Sequence, residues 1–180
     1  MNDQRARVLL LVLMAFLAAP ASSEDKPPNL LKNGGFEEAT KESVPPGWAF
    51  ATPEVDKAQS RLVTDKAPEG KAFVRLTGTA QWAAVFQKVP IDRAKTYTLT
   101  GRLRVNRGGY ALIKIDYFQG DQWLGQTGVE NAVQGQATDW KTTTATSKLA
   151  DFPNATHISA TVAIAGDTDA DFDDLSLTAK

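Results

Sequence analysis

Few residues in this chain could carry covalent or acid–base chemistry. It holds no cysteine and a single histidine, His157. Thiol catalysis, cysteine-based zinc sites and a disulfide framework are therefore excluded, and a Ser-His-Asp arrangement would depend on that one imidazole. No Gly-x-Ser-x-Gly elbow, HExxH zinc motif or phosphate-binding glycine loop occurs. Glycoside hydrolysis needs two carboxylates about 5–9.5 Å apart across a cleft. Asp and Glu number 21, yet none stands in a recognisable catalytic setting. The expectation is a protein that is not an enzyme.

One acid raises a question of its own. The C-terminal segment reads "DADFDDLSLTAK", residues 169–180. In a regular strand residues two apart share a face, which puts Asp173 with Leu175 and Leu177, and Asp174 with Phe172 and Ser176. Whichever face is buried takes an aspartate with it, and an unpaired buried carboxylate costs several kcal/mol. A bound cation, or a lysine or arginine partner, would neutralise it.

Non-covalent chemistry has more candidates. An exposed aromatic ring can stack on the apolar face of a ligand while flanking polar groups bind its donors and acceptors. Trp82, in "TAQWAAVFQKV", either stacks on such a ligand or is one more core tryptophan. Tyr110, Tyr117 and Trp123 are further stacking candidates, although Tyr117 alternates with Ile113 and Ile115 and so shares their apparent core face. Arg102, Arg104, Lys114 and Asp116 fall on outward faces of strands that look adjacent. Planar guanidinium donors there suit hydroxyl pairs, or the four make an ordinary solvated face. His157, in phase with Ser159 and Thr161, is ordinary exposed surface or a ligand contact rather than a catalyst or a metal ligand.

These side chains must be presented by strands. Brief runs rich in Thr, Val, Ile and aromatics ("RLVT", "AFVRLTG", "WAAVFQKVPI", "YTLTGRLRV", "YALIKIDYF", "WLGQTGV", "WKTTTATSKL", "HISATVAIA", "DFDDLSLT") are separated by Gly, Pro, Asp and Asn. "NAVQGQATDW" is the one short helical candidate. The pattern predicts an all-β fold, a two-sheet antiparallel β-sandwich of jelly-roll type. Tyr97, Leu99, Leu103 and Val105 are expected to face the core, as are Ile158, Ala160, Val162 and Ile164. Gln87 alternates with Val85 and Val89, so its amide is expected to face inward and to find hydrogen-bond partners there, a structural role rather than a ligand contact.

The N-terminus adds an address. Arg5 and Arg7 precede an apolar run from Val8 to Ala19, and small residues follow it, which reads as a signal peptide over residues 1–21. The competing reading, a membrane anchor, needs roughly 20 apolar residues, and Pro20 ends the run first. A linker over 22–28 leads into one domain over 29–180, in a mature chain of about 155 residues that suits a single core. The expected location is secreted or periplasmic, with no membrane insertion after cleavage. With a formal net charge of −1 and no basic block after the signal, nucleic acid is a poor partner.

In chain order, "NLLKNGGFEE", "PPGW", "APEGKAFVRL", "QKVPIDRAKTYTL", "DWKTTT" and "FDDLSL" together resemble a CenC-type carbohydrate-binding module of the CBM 4/9/22-like group. That resemblance implies a galactose-binding-like jelly roll and a carbohydrate partner, a polysaccharide or glycan. It also implies a glycan groove on an outer sheet face, with Trp82, Arg102, Lys114, Tyr117, Trp123 and His157 as the ligand-binding candidates. Trp48 and Trp140 match positions where the family packs its core. The family further implies a structural calcium where the N-terminal segment meets the last strand. By position its ligands are the Gly35 carbonyl, the Glu37 side chain, a carbonyl near Lys71 and the Asp173 carboxylate, a mixed oxygen set that suits a hard cation. A glycanase or a cell-envelope component is the implied macromolecular partner, and the alternative is a structural or adhesive envelope module without a sugar site.

Overall fold

The computed structural model describes residues 27–38 and 44–180. The expected signal peptide (1–21) and most of the expected linker (22–28) lie outside the described residues. Among the described residues no helix is long and apolar enough to cross a membrane.

The strands are β1 (Ala49–Ala51), β2 (Ala58–Val63), β3 (Phe73–Gly78), β4 (Ala83–Pro90), β5 (Tyr97–Arg107), β6 (Tyr110–Gln119), β7 (Gln122–Thr127), β8 (Val133–Gln134), β9 (Ala137–Thr146), β10 (His157–Ala165) and β11 (Thr168–Ala179). They form two antiparallel sheets. One runs β1-β4-β10-β6-β7 with β8 on β6, and the other runs β2-β3-β11-β5-β9. The fold is the antiparallel β-sandwich that the alternation predicts. Tyr97, Leu99, Leu103 and Val105 from β5 meet Ile158, Ala160, Val162 and Ile164 from β10 in one core. The helical candidate "NAVQGQATDW" is corrected: a single 3-10 turn over Val129–Asn131 leads into β8 and β9, because its glycine sits at positive φ and reverses the chain.

Two further corrections concern faces. β5 and β6 look adjacent in sequence, yet they belong to opposite sheets. Arg102 and Arg104 therefore lie on the outer face of the five-stranded sheet, across the sandwich from Lys114 and Asp116. Trp140 joins them there rather than in the core. It packs edge-on to Phe73 (centroids 5.6 Å) with the Arg104 guanidinium 4.7 Å above its ring. Beneath them Asp171, fully buried, accepts hydrogen bonds from Arg75 (Nη2, 2.7 Å) and Arg104 (Nε, 2.7 Å).

The last strand does not keep a period of two. Phe172 is buried in the core, and so are Leu175 and Leu177. Asp174 takes a left-handed φ of 52°, and the pairing with β5 shifts between Asp173 and Ser176. This bulge inserts one residue and flips the phase. Asp173 is consequently out of phase with Leu175 and Leu177, contrary to the simple alternation, yet it is fully buried while Asp174 is exposed.

The N-terminal segment lies along the same strand just past Asp173. Leu30 N–H bonds the Leu177 carbonyl (2.8 Å), Asn29 bonds both the Leu175 carbonyl and the Leu177 N–H, and Leu175 N–H bonds the Gly34 carbonyl (2.9 Å). Gly34 lies so close to the Leu175 carbonyl that no side chain fits there. Gln87 completes the seam as expected, accepting from Lys32 N–H (2.8 Å) and donating to its carbonyl (2.9 Å).

Candidate ligand groove and candidate metal site

The outer face of the six-stranded sheet carries a groove of about 630 Å³. Its floor follows from the pairing register. Ala51, Ala84, Ala163 and Leu112 form one row across four strands. The next row along the strands is Ala49, Phe86, Thr161 and Lys114, and the next Lys88, Ser159, Asp116 and Gln126. Successive rows on one face stand roughly 6.6–6.8 Å apart. Trp82 and Trp123 flank opposite ends and remain 43% and 54% exposed.

Lys114 and Asp116 anchor a polar network in the floor. The Lys114 ammonium donates to Asp116 Oδ1 (2.8 Å) and to Gln126 Oε1 (2.6 Å), and the Trp123 indole N–H donates to the same Asp116 oxygen (3.0 Å). Lys114 and Asp116 neutralise each other, Lys88 at the edge of the row pairs with Asp121 (3.0 Å) outside the groove lining, and Asp116 Oδ2 takes no hydrogen bond among the described residues. Trp123 is thus oriented from its polar edge and presents its ring to solvent. Beside them the buried Thr161 donates to Ser159 Oγ (3.2 Å).

Trp82 is held differently, by the backbone around it. Thr52 Oγ1 donates to the Trp82 carbonyl (2.9 Å), and Glu54 Oε2 accepts from the preceding Gln81 N–H (2.6 Å). Lys57 bonds the same carboxylate and, with that N–H, holds the Glu54 carboxyl below its usual range.

The sequence candidates separate accordingly. Trp82, Lys114 and Trp123 line the groove together. His157 lies on the same face of β10 at its margin, bonded through Nδ1 to Thr156 (2.9 Å). Tyr117 does not join them: it is fully buried between the sheets, stacked on Phe152 at 3.9 Å, with its hydroxyl bonded to Thr127 and to Lys148 N–H. Arg102 sits on the opposite sheet beside Asp174 (3.6 Å) and Glu69 (4.0 Å). Sequence reasoning missed Phe86, Gln126 and the alanine row. The alternation of β10 had already placed Ser159, Thr161 and Ala163 outward, and small residues at successive outward positions are the signal of a recessed floor.

The metal candidates converge at the seam between the N-terminal loop and β11. Asp173 Oδ1 accepts Asp174 N–H (2.7 Å), and its Oδ2, sealed from solvent, has no hydrogen-bond partner. Burial pushes this carboxyl up to about 7, the neighbouring Asp174 and Glu37 charges add to the rise, and backbone N–H groups oppose it. Glu37 spans the loops, accepting from Lys71 N–H (2.8 and 2.9 Å) and Ala72 N–H (3.0 Å). Gly70, at φ 62°, leaves the space its carboxylate fills. An orphaned buried carboxylate oxygen beside a second carboxylate fits a hard dication completed by carbonyls. Among the described residues no cluster of three or more His, Cys, Asp or Glu side chains suited to a metal occurs, so backbone oxygens would carry most of the coordination.

No protein-family model and no curated protein matches the chain. Solved structures do. The chain is 22% identical to a Stig cyclase, Fisc, from Fischerella sp. TAU, solved in complex with a methylpyrrolidinylidene-indole, with a TM-score of 0.60 over 84% of this chain and 96% of that one. It is 18% identical to TmCBM61, solved with β-1,4-galactotriose, with a TM-score of 0.56 over 85% and 99% of the two chains. It is 13% identical to the CBM22-1 xylan-binding domain of Paenibacillus barcinonensis Xyn10C, with a TM-score of 0.59 over 81% and 91%. The shared property is the fold, a jelly roll of the kind found in carbohydrate-binding modules, which also hosts cyclases.

Proposed function

We propose that the protein is a non-catalytic carbohydrate-binding module that holds a neutral polysaccharide or glycan in the groove of the six-stranded sheet. The observation that carries this reading is the pair of half-exposed tryptophans flanking a floor whose Lys114 and Asp116 charges cancel. Stacking surfaces with neutralised donors and acceptors suit a hydroxylated, uncharged ligand better than an ion. The likeness to CBM61 and CBM22 structures supports it. The groove lining includes one carboxylate, Asp116, where two-carboxylate hydrolysis would need a pair. The basic and apolar pattern of residues 1–21 supports action outside the cytoplasm, with a glycanase or an envelope component as neighbour.

Affinity electrophoresis of the mature protein against plant, algal and bacterial glycans tests the reading. Retardation by at least one glycan, weakened about tenfold or more in Trp123→Ala without loss of fold, is expected. A folded protein that no glycan retards contradicts it.

A structural calcium belongs to the same proposal, held by the Asp173 and Glu37 carboxylates with the Gly35 carbonyl and a carbonyl near Lys71. Its chemistry there would be charge neutralisation and loop pinning, remote from the groove. Chelator is expected to lower the melting temperature at neutral pH, and Asp173→Ala to remove that sensitivity. No response to chelator rejects the metal.

A further inference from the structure

The groove is not uniform along its length. Toward the Trp82 end the floor is the row Ala51, Ala84, Ala163 and Leu112, continued by Ala165 paired with Tyr110. Ala84, Leu112 and Ala163 form a buried apolar cluster of their own, separate from the main core, with Tyr110 packed against it. Within that half, the side chains lining the groove carry no charge. Toward the Trp123 end lie Lys114, Asp116, Gln126, Ser159 and Thr161, with their mutual hydrogen bonds. The change from one character to the other occurs within about one row, roughly 6.8 Å along the strands.

A plain sugar chain is hydroxylated on every residue and would leave those hydroxyls without side-chain partners over the alanine row, at a cost for each polar group desolvated. An occupant matched to both halves changes polarity over the same distance. The alanine methyls make a shallow, flat floor, Trp82 and Tyr110 supply aromatic walls that favour offset or edge contact with another ring, and Phe86 stands at the boundary, in the row of Thr161 and Lys114.

Resting on the carbohydrate reading above, we infer that the groove recognises a sugar bearing an aromatic substituent, the sugar over Lys114, Asp116 and Gln126 and the aryl group over Ala84 and Ala163. The substituent lies next to the sugar that carries it, because the two compartments adjoin. The polar network fixes orientation, and the apolar compartment supplies affinity that an unsubstituted glycan does not obtain.

The test is calorimetric titration of the mature protein with matched 2-naphthyl and methyl β-glycosides of glucose, galactose, xylose and mannose. Unsubstituted oligosaccharides of the same sugars are titrated in parallel. At least one naphthyl glycoside is expected to bind about tenfold or more tighter than its methyl counterpart, as transfer of one ring's apolar surface requires. Ala163→Leu or Ala84→Leu, which fill the floor, are expected to weaken naphthyl-glycoside binding more than methyl-glycoside binding and so to remove that advantage. Equal affinity for naphthyl and methyl glycosides, absence of binding by both, or an advantage that survives both substitutions overturns the inference. Should either variant fail to fold, the matched pairs on the parent protein decide alone. Oligosaccharide binding without a naphthyl advantage leaves the carbohydrate reading standing and removes this one. A naphthyl advantage without oligosaccharide binding narrows the carbohydrate reading to substituted sugars and leaves this inference standing.

Discussion

Asp116 and Asp173 are both buried carboxylates, and their surroundings give them opposite roles. Asp116 takes a lysine and an indole N–H on one oxygen, so its charge is met inside the protein and it can orient Trp123 and a ligand hydroxyl. Asp173 has an oxygen with no partner and a carboxyl raised to about 7 from its ordinary 3.8. The sign of its effect follows. An acid whose folded-state value is raised contributes no penalty below the unfolded value. It costs stability progressively as pH climbs from about 4 to about 7, because the unfolded chain releases the proton first. In chelator-treated protein the unfolding free energy of the parent relative to Asp173→Asn is therefore expected to fall by about 3–4 kcal/mol over that window and then level off. Urea titrations at pH 4.5 and 7.5 on both proteins measure it, and a difference independent of pH removes Asp173 from the account. With calcium bound, the loss is expected to vanish.

At the scale of elements, the hydrophobic alternation located nearly every strand, because in a sandwich each strand has one face on the core and one outside. It failed where a strand changes phase. Phe172 and Leu175 are three apart and both buried, a spacing that no regular strand allows, and the acidic pair between them was the visible sign of the bulge. Alternation also says nothing about which sheet a strand joins. Arg102 and Lys114 were grouped by sequence proximity, while the β5–β6 connection crosses between sheets. β11 consequently carries a second acid that alternation left without a role. Asp171 is fully buried against Arg75 and Arg104, and its hydrogen bond, with its charge and that of Asp169, holds the Arg75 guanidinium above its usual range. Asp171→Ala leaves Arg104 without a carboxylate and Arg75 with Asp169 alone (3.5 Å), and is expected to cost about 2–3 kcal/mol in urea unfolding. Glycan affinity should not change, since the cluster lies across the sandwich from the groove. A stability loss under about 0.5 kcal/mol would mean that the cluster holds nothing together.

At the scale of the whole molecule, the two sheets divide the work. The five-stranded sheet, with the N-terminal segment bonded along β11, closes the fold and holds the candidate metal seam. The six-stranded sheet presents the groove. The sequence made Trp82, Lys114 and Trp123 candidates because exposed aromatics and a charged residue out of phase with the core are visible one residue at a time. The alanine row was not legible, because it exists only once the register of four strands aligns single residues from each. Since the groove's charges cancel, glycan affinity is expected to change less than about twofold between 50 and 500 mM NaCl. A steep salt dependence measured by calorimetry would mean an ionic ligand instead.

The four tryptophans make the central claim directly readable. Trp48 is in the core, Trp140 is on the five-stranded sheet, and Trp82 and Trp123 flank the groove. Titrating a binding glycan into 15N-labelled protein and following the indole N–H signals by NMR reports on all of them at once. The account predicts that the Trp82 and Trp123 signals move with the glycan, Trp123 most because its N–H is bonded to Asp116, while Trp48 and Trp140 stay in place. Movement of Trp140 with Trp82 and Trp123 stationary would place the ligand on the other sheet and contradict it.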